Sequence, residues 1–549
     1  ATNFNPFNTD INTVRGQETG YPTWSPLVAS TSTFSNGNLT ITTQASNYVN
    51  DLVTMRTPAG TGKWYWEFVQ TARTGTDYTL VGMLPEDNTY QHGSSDIPQN
   101  CGGIGLYIGQ NGVAYVASGA ATAGTTSATF DVGDVLGWAY DAENGTVKCF
   151  KNGVPQGTQF TDVRTDTGWT FCVTDYDNTT VSTFEINFGQ KPFKYDPPTD
   201  YLSLCTENLV TPTITKPSEQ VGIVTWTGNG SAGQQIDGYD FSPNMVWIKE
   251  RDGTNYHSLI DTIRGGTEVI FPSESIDREV QTGAITQFNS DGFNVGGWQA
   301  VNLDTKDFIG WAWNAGISTS YDTSGSVTSA VSVNRDAGFS IAKYSYTGTG
   351  AQTVGHGLGV KPDVVWRKPI DLNEGWSVYS KTYNGNLGFS NRAYLDTDGI
   401  WTGTTTFNSS DPTDSVNNIN NSNTGIYVDY SFKAIDGYSA FGTYQATSLL
   451  PFVFTGFKAR FVMIKRATGG SNNWVIYDTE RNKQNKTQNR IYVDINDTES
   501  TQSSHYIDIV SNGFKVQSPD GNLLNRYSSS HVYFYMAFAE HPLKYARAH

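Results

Sequence analysis

One short motif recurs three times in the C-terminal part of this 549-residue chain, and an internal repeat of this kind constrains the fold more than any other sequence feature. Residues 243–249 (PNMVWIK) return as 362–368 (PDVVWRK) and again as 459–465 (ARFVMIK). In the first copy a glycine-rich segment (226–230) precedes the motif, and an aromatic strand (256–262) and an aromatic closing strand (311–315) follow it. The corresponding segments of the second copy are 346–350, 376–380 and 430–434. In the third copy, where the glycine-rich segment is weaker, they are 444–447, 474–479 and 536–540. The pattern predicts three β-sandwiches of roughly 100 residues, at 220–316, 337–436 and 437–549, with a Ser/Thr/Gly-rich linker at 317–336.

The composition favours strands and turns throughout the chain. Charged residues make up 16% of the sequence and aromatic residues 13%, and there are 56 glycines. Aromatic and β-branched residues fit pleated strands, while Gly, Asn and Asp fit the tight turns between them. No long segment has the i, i+3, i+4, i+7 spacing of an amphipathic helix, and no apolar run is long enough to cross a membrane. We therefore expect an all-β, multidomain protein.

The chain is acidic, with a formal net charge of −17 at pH 7. Binding to phosphate backbones or to anionic membrane surfaces needs clustered Lys and Arg, so neither nucleic acid nor membrane is an expected partner. An acidic surface with few charges and many aromatic residues suits neutral partners such as glycans or proteins, although it also serves solubility alone.

Cysteine and histidine usage does not follow a metal-binding or disulfide pattern. The four cysteines form no CxxC pair, so we expect buried free thiols rather than a zinc site or a disulfide framework: Cys101, Cys149, Cys172 and Cys205. The seven histidines are dispersed without metal-ligand spacing. No cofactor or metal is expected.

Residues 21–196 are predicted to form one β-domain. Segment 62–68 (GKWYWEF) is a strand that places Trp64, Trp66 and Phe68 on one face. Segment 134–140 is apolar on both faces, which predicts a central strand of a sandwich. The segment that follows it contains an Asn-Gly dipeptide between two strand patterns, the strongest short hairpin signal.

Three motifs of this domain resemble SPRY domains. They are GKWYWEF at 62–68, GDVLGWAYD at 133–141 with GTVKCFKNGV at 145–154, and INFGQKPF at 186–193, and they occur in the order of that family. The resemblance implies a bent, lectin-like sandwich of two antiparallel sheets. It also implies binding of proteins or peptides through loops at one end, without catalysis.

Two polar segments flank this domain. Residues 1–20 are too short and too polar for a domain, and we expect them to dock onto a partner through Phe4, Asn5, Pro6, Phe7 and Arg15. They lack the basic and apolar stretches of a signal peptide. Residues 197–219 are rich in Pro and Thr and are predicted to be an extended linker.

The search for catalytic residues yields no nucleophile motif. There is no Gly-x-Ser-x-Gly elbow, and His356 between two glycines is expected to be a turn residue. Glycoside hydrolysis needs two carboxylates flanking a cleft, and the many Asp and Glu residues leave that alternative open. The leading expectation is a protein that is not an enzyme.

Candidate ligand-binding residues are polar and aromatic side chains in expected loops. Two loops of the SPRY-like domain, near residues 86–100 and 175–178, are expected at its binding end, and two tryptophans of the repeats lie within two residues of a glycine. The candidates are Asp87, Tyr90, His92, Tyr176, Asp177, Trp298 and Trp401.

An SPRY-like domain followed by such repeats resembles tail-fibre and structural proteins of marine tailed bacteriophages, a likeness carried by segments 354–360 and 533–542. The resemblance implies a virion protein, a tail fibre or appendage subunit that binds a host-surface glycan or protein. Other virion proteins are the expected partners, and a homotrimer is the expected assembly. Two alternatives remain: an architectural capsid-decoration, neck or adaptor protein without ligand, and a glycan-degrading tailspike enzyme.

Overall fold

The computed structural model describes residues 3–4, 19–27, 31–44, 50–75, 79–85, 102–108, 114–116, 121–124, 129–175, 179–348, 350–383, 386–407, 410–420, 423–447, 450–518, 523–526 and 531–544. The chain divides into two compact units, an N-terminal unit built mainly from residues up to Thr211 and a C-terminal unit built mainly from residues 212–542. Among the described residues, no helix is both long and apolar enough to cross a membrane.

Strands are the only regular elements in the described residues of the N-terminal unit. They are β1 Asn3–Phe4, β2 Gly20–Tyr21, β3 Thr33–Ser35, β4 Thr40–Thr42, β5 Asn50–Leu52, β6 Lys63–Thr74, β7 Thr79–Pro85, β8 Ile104–Ile108, β9 Ala114–Val116, β10 Thr122–Ala123, β11 Val135–Asp141, β12 Thr146–Lys151, β13 Val154–Thr161, β14 Trp169–Asp175, β15 Val181–Asn187 and β16 Leu202–Ser203. One sheet has the order β10-β13-β12-β11-β6-β15-β4-β3, with β16 added parallel to β6, and the other has the order β5-β14-β7-β8-β9.

The two sheets pack face to face because alternate residues of β6 are large and apolar. Trp66 and Phe68 meet Phe171 of the opposite sheet with ring centroids 5.5 and 5.1 Å apart. Together with Trp64 they belong to one buried cluster, as the alternation predicts. The expected hairpin is present at β12 and β13, where Asn152 and Gly153 both have positive φ, 49° and 77°.

The described cysteines Cys149, Cys172 and Cys205 are buried, as expected, and Cys101 lies outside the described residues. The segment 197–219 is not an extended linker. Its first part belongs to the N-terminal unit, because β16 pairs with β6 and Leu204 is buried in the core of that unit. Its last part forms a short 3-10 helix, Pro217–Glu219, in the C-terminal unit.

The C-terminal unit contains three copies of one two-sheet arrangement. The first has β17 Val221–Thr227, β18 Gln234–Asp237, β19 Met245–Glu250, β20 Ser258–Asp261, β21 Glu268–Val269, β22 Glu279–Val280, β23 Ile285–Phe288, β24 Gly292–Val295, α1 Gln299–Asn302 and β25 Asp307–Trp313. The second has β26 Thr319–Asp322, β27 Ser329–Asn334, β28 Phe339–Tyr346, β29 Gln352–Gly355, β30 Val364–Pro369, β31 Ser377–Ser380, β32 Thr382–Tyr383, β33 Asn386–Leu387, β34 Asn391–Tyr394, β35 Thr402–Gly403, β36 Val416–Ile419 and β37 Gly425–Phe432. The third has β38 Ser439–Gln445, β39 Phe452–Phe454, β40 Phe457–Arg466, β41 Val475–Asp478, β42 Asn489–Tyr492, β43 Ser500–Thr501, β44 Tyr506–Val510, β45 Gly513–Gln517 and β46 Val532–Pro542.

Strand order shows that the copies are equivalent. The larger sheets contain β17-β25-β19-β20, β28-β37-β30-β31 and β38-β46-β40-β41, so the closing strand lies each time between the first strand and the repeated motif. A smaller sheet completes each sandwich, with the orders β18-β24-β23, β29-β36 and β39-β45-β44. The segment 317–336 is not a linker, because β26 and β27 extend the larger sheet of the second copy.

The three sandwiches close into a ring around one aromatic core. Trp247 of the first copy meets Trp366 of the second, at 6.0 Å between ring centroids. Phe538 of the third copy meets Phe432 of the second at 6.2 Å and Trp313 of the first at 5.7 Å. Each copy therefore contacts both others through its larger sheet, and the inward faces of all three form one continuous buried cluster.

Candidate functional site

The structure describes only two of the seven candidate ligand-binding residues, Trp298 and Trp401. Asp87, Tyr90, His92, Tyr176 and Asp177 lie outside the described residues, and so do Asn5, Pro6, Phe7 and Arg15 of the expected docking segment. Phe4 lies in β1, which pairs with β2.

The two candidate tryptophans pack into different clusters. Trp298 is half-buried and precedes α1, with its ring 6.4 Å from that of Phe271. Trp401 is only 8% exposed and packs on Trp474 and Phe534, at 5.5 and 5.2 Å between centroids. Its ring faces are thus engaged within the central core rather than offered to solvent.

Buried lysines mark the interfaces of the ring. Lys249, Lys368 and Lys465 occupy the same position of the repeated motif, and all three are fully buried; we call them the interface lysines. Their ammonium groups donate to main-chain carbonyl oxygens, for example Lys249 to Glu250 at 2.7 Å, Lys465 to Asp398 at 2.6 Å, and Lys368 to Glu374. A buried ammonium group requires such acceptors, since an unpaired charge in a protein interior is very costly.

Burial lowers the pKa of each interface lysine to about 8, and nearby carboxylates oppose the shift. For each interface lysine, one of these carboxylates belongs to an adjacent sandwich, always the next one in the same direction around the ring. It is Asp497 for Lys249, Asp277 for Lys368 and Asp398 for Lys465. At the interface that contains Lys465, burial also raises the pKa of Asp494 to about 7, although the charge of Lys465 opposes that shift. The same electrostatic contact is therefore built three times.

A second set of equivalent contacts comes from the residues that immediately precede β20, β31 and β41. The indole N–H of Trp376 donates to the carbonyl of Phe271 at 2.8 Å, and that of Trp474 donates to Tyr394 at 2.9 Å. In the first copy the position holds His257, whose Nδ1 accepts a hydrogen bond from Trp247 at 3.0 Å. The remaining ring nitrogen of His257 carries the proton because Nδ1 accepts, and burial lowers the pKa of the ring well below its usual value.

Two buried Arg–Asp pairs complete the ring. Arg264 pairs with Asp261 at 2.7 Å, and the hydroxyl of Tyr430 from the second copy donates to that carboxylate at 2.6 Å. Arg481 pairs with Asp478 at 2.7 Å, and the indole of Trp311 from the first copy donates to it at 3.1 Å. The equivalent positions in the second copy are Ser380 and Tyr383, and there the contact is aromatic, with Tyr383 6.5 Å from Phe534.

These charged groups hold the three sandwiches in register. Their donors and acceptors are directed at neighbouring main chain or at one another, so the network binds sandwich to sandwich. In the part of the chain that the structure describes, no three His, Cys, Asp or Glu side chains are grouped to hold a metal ion.

A separate concavity lies on the outer face of the larger N-terminal sheet, and we call it the Glu67 pocket. It has a volume of about 190 Å³. Its floor comes from β6, β11 and β15, and its rim comes from the segment after β15; the lining residues are Glu67, Phe68, Val69, Val135, Glu185, Ile186, Asn187, Lys191, Pro192 and Lys194. Ligand pockets for drug-sized molecules measure roughly 300–1,000 Å³, so this one suits a single side chain.

Glu67 anchors the rim of the pocket. It is only 4% exposed. Its two carboxylate oxygens accept the main-chain N–H groups of Lys194 at 2.8 Å and Tyr195 at 2.9 Å, and the Tyr65 hydroxyl lies 3.3 Å away. Burial, followed by the charge of Glu67, raises the pKa of Tyr65, so this hydroxyl stays protonated and donates. The alternation within WYWEF places Glu67 on the outer face, but the sequence does not reveal that residues 189–195 fold back over it.

Comparison with protein families assigns the C-terminal unit. The model of a domain of unknown function, DUF7483, matches residues 216–542. The chain belongs to this family. The DUF7483 match spans all three sandwiches, so the family is defined by the whole ring rather than by one copy.

The N-terminal part of this DUF7483 protein has different relatives. The Ran-binding proteins 9/10 homolog of Drosophila melanogaster is 28% identical over 204 residues, which are 36% of this chain and 20% of that protein. The chain thus spans about a fifth of the length of this curated relative. The SPRY domain of human HERC1 matches with 19% identity over 30% of this chain and 96% of that one, at a TM-score of 0.25. The TRIM65 PSpry domain matches with 14% identity over 30% and 92%, at a TM-score of 0.23. The N-terminal unit itself is a sandwich of two sheets, the architecture that its sequence motifs imply.

Proposed function

We propose that this chain is a non-enzymatic structural protein of a tailed-bacteriophage particle, a tail fibre or appendage subunit that binds a protein or glycan of the host surface. The observation that carries the proposal is the closed ring of sandwiches, whose inward faces and buried charges are directed at one another. Such a unit suits a rigid structural element. Fold alone assigns no ligand, so the binding role rests on the acidic composition and on the concave Glu67 pocket of the SPRY-like unit.

The first test is the composition of purified particles. Peptides of this chain are expected in gradient-purified virions of the virus that encodes it, measured by mass spectrometry. Antibodies against the N-terminal unit are expected to block adsorption to host cells. Absence of the peptides from particles would contradict the virion role. Presence without any effect of the antibodies would favour the architectural alternative.

The second test asks whether the SPRY-like unit carries the binding. Full-length protein is expected to bind host cells, and the combined Tyr90→Ala, His92→Ala and Tyr176→Ala variant is expected to bind about tenfold more weakly. The matched control replaces two exposed tyrosines of the C-terminal unit, Tyr256→Ala and Tyr321→Ala. Equal loss in both variants, in flow cytometry of labelled protein, would contradict this assignment.

The proposed assembly is a homotrimer joined to other virion proteins. The inward faces of the three sandwiches are already buried within one chain, so contacts between chains would use other surfaces. Light scattering on the purified full-length chain distinguishes a trimer from a monomer.

A further inference from the structure

The Glu67 pocket contains a buried carboxylate without a cationic partner. Among the described residues, no lysine, arginine or histidine forms an ion pair with Glu67. The two lysines of the rim are engaged elsewhere: the Lys191 ammonium pairs with Glu185, and that of Lys194 lies 5.9 Å from the centre of the Tyr195 ring. Hydrogen bonds from N–H groups stabilise the Glu67 carboxylate, but its negative charge is not neutralised.

The rest of the lining suits a long side chain with a charged end. Val69, Val135 and Pro192 provide apolar surface in the lining beside Glu67. Lysine and arginine side chains bury their methylene stems against apolar surface while the head group reaches a polar partner. A carboxylate at the base of a narrow pocket is the natural acceptor for such a head group.

We propose that the Glu67 pocket binds a lysine or arginine side chain of a partner polypeptide, with the head group at Glu67 and the stem between Val69 and Pro192. The proposal rests on the binding role proposed for the N-terminal unit and names the chemistry that one of its sites recognises. It is tested on purified protein without particles or cells, so its failure is distinguishable from failure of the virion role.

The probe is the tripeptide acetyl-Gly-Lys-Gly-amide, compared with the same peptide containing norleucine, which keeps most of the stem and lacks the charge. Saturation-transfer NMR with the full-length chain is expected to show binding of the lysine peptide with a dissociation constant on the order of 1 mM. The norleucine peptide is expected to bind at least about tenfold more weakly. Equal binding of the two peptides would overturn the proposal.

Two variants locate the site. Val69→Phe fills the pocket and is expected to abolish binding, whereas Val154→Phe, at a 60% exposed position outside the lining, is expected to leave binding unchanged. Lys194→Ala removes a cation from the rim and keeps the main-chain N–H that Glu67 accepts, so it is expected to tighten binding about two- to fivefold. Unchanged binding by a folded Val69→Phe, or weaker binding by Lys194→Ala, would overturn the proposal.

Discussion

Trp376 of the second sandwich donates its indole N–H to the main-chain carbonyl of Phe271 in the first, at 2.8 Å. Trp474 makes the equivalent contact with Tyr394 one interface further on. A contact that recurs at equivalent positions of a degenerate repeat indicates that the interfaces between sandwiches, and not only the sandwiches themselves, were duplicated.

The contribution of this hydrogen bond is measured by comparing two tryptophans. Trp376→Phe and Trp366→Phe remove the same atoms from fully buried positions, but the indole nitrogen of Trp366 has no hydrogen-bond partner among the residues that the structure describes. We expect Trp376→Phe to lower the free energy of unfolding by about 1–2 kcal/mol more than Trp366→Phe, because it leaves the Phe271 carbonyl unsatisfied. Denaturant titration provides the values, and equal losses would contradict the role of the hydrogen bond.

The buried Arg264–Asp261 pair should matter far more than an exposed pair of the same type. Arg264→Met leaves Asp261 buried without its cation, and we expect a loss of about 3–5 kcal/mol in the free energy of unfolding. Arg164→Met breaks the solvent-exposed pair with Asp166 and is expected to cost about 0–1 kcal/mol. Thermal and chemical denaturation of both variants tests the difference, and similar losses would contradict a special role for the buried pair.

The interface lysines predict a pH dependence with a definite sign. The folded pKa of Lys249 is lowered from 10.5 to about 8, so between these values the unfolded chain binds more protons than the folded one. Its contribution therefore makes the chain more stable as pH rises through that window, by up to about 1.4 kcal/mol per pH unit. We expect Lys249→Met to reduce the slope by the contribution of Lys249, while Lys368 and Lys465 keep theirs, and the exposed Lys216→Met to leave it unchanged, in unfolding curves at pH 8, 9 and 10. Identical slopes in wild type and Lys249→Met would refute the prediction.

Glu67 should be sensitive even to an isosteric change. Both of its oxygens accept main-chain N–H groups, so the amide nitrogen of Glu67→Gln would point at one of those donors. We expect a loss of about 1–3 kcal/mol in stability. Glu185→Gln changes a carboxylate at the more exposed edge of the same pocket and is expected to cost under about 1 kcal/mol. Amide hydrogen exchange at Lys194 and Tyr195 reports whether the rim has loosened. Unchanged exchange rates in Glu67→Gln would contradict the role of Glu67 in holding the rim.

Local patterns were sufficient to predict the strands and the repeat. The alternation around Trp66, the turn at Asn152 and Gly153, and the three copies of the motif that contains Lys249 each depend on residues close together in the sequence. The ring was not predictable, because contacts such as Tyr430 with Asp261 join residues far apart. The segment 317–336 misled for a related reason: a polar composition suits an edge strand as well as a linker, and pairing with β28 decides between them.

The candidate site was predicted less well than the fold. Trp401 lies between Gly399 and Gly403 in a polar segment, which favoured an exposed ring, yet the third sandwich covers it. Glu67 was placed on the correct face but was not recognised as a pocket residue, since its neighbours arrive from a segment more than a hundred residues later.

Closure of the ring has a genetic consequence. Recombination between related segments of one gene deletes or duplicates a copy. In a linear stack of domains, the shortened product can still fold. Here the third sandwich packs on the first as well as on the second, so a two-copy product would expose Trp313 and Phe432 together. Divergence of the three segments reduces such recombination, so a closed ring favours repeats that have drifted apart in sequence.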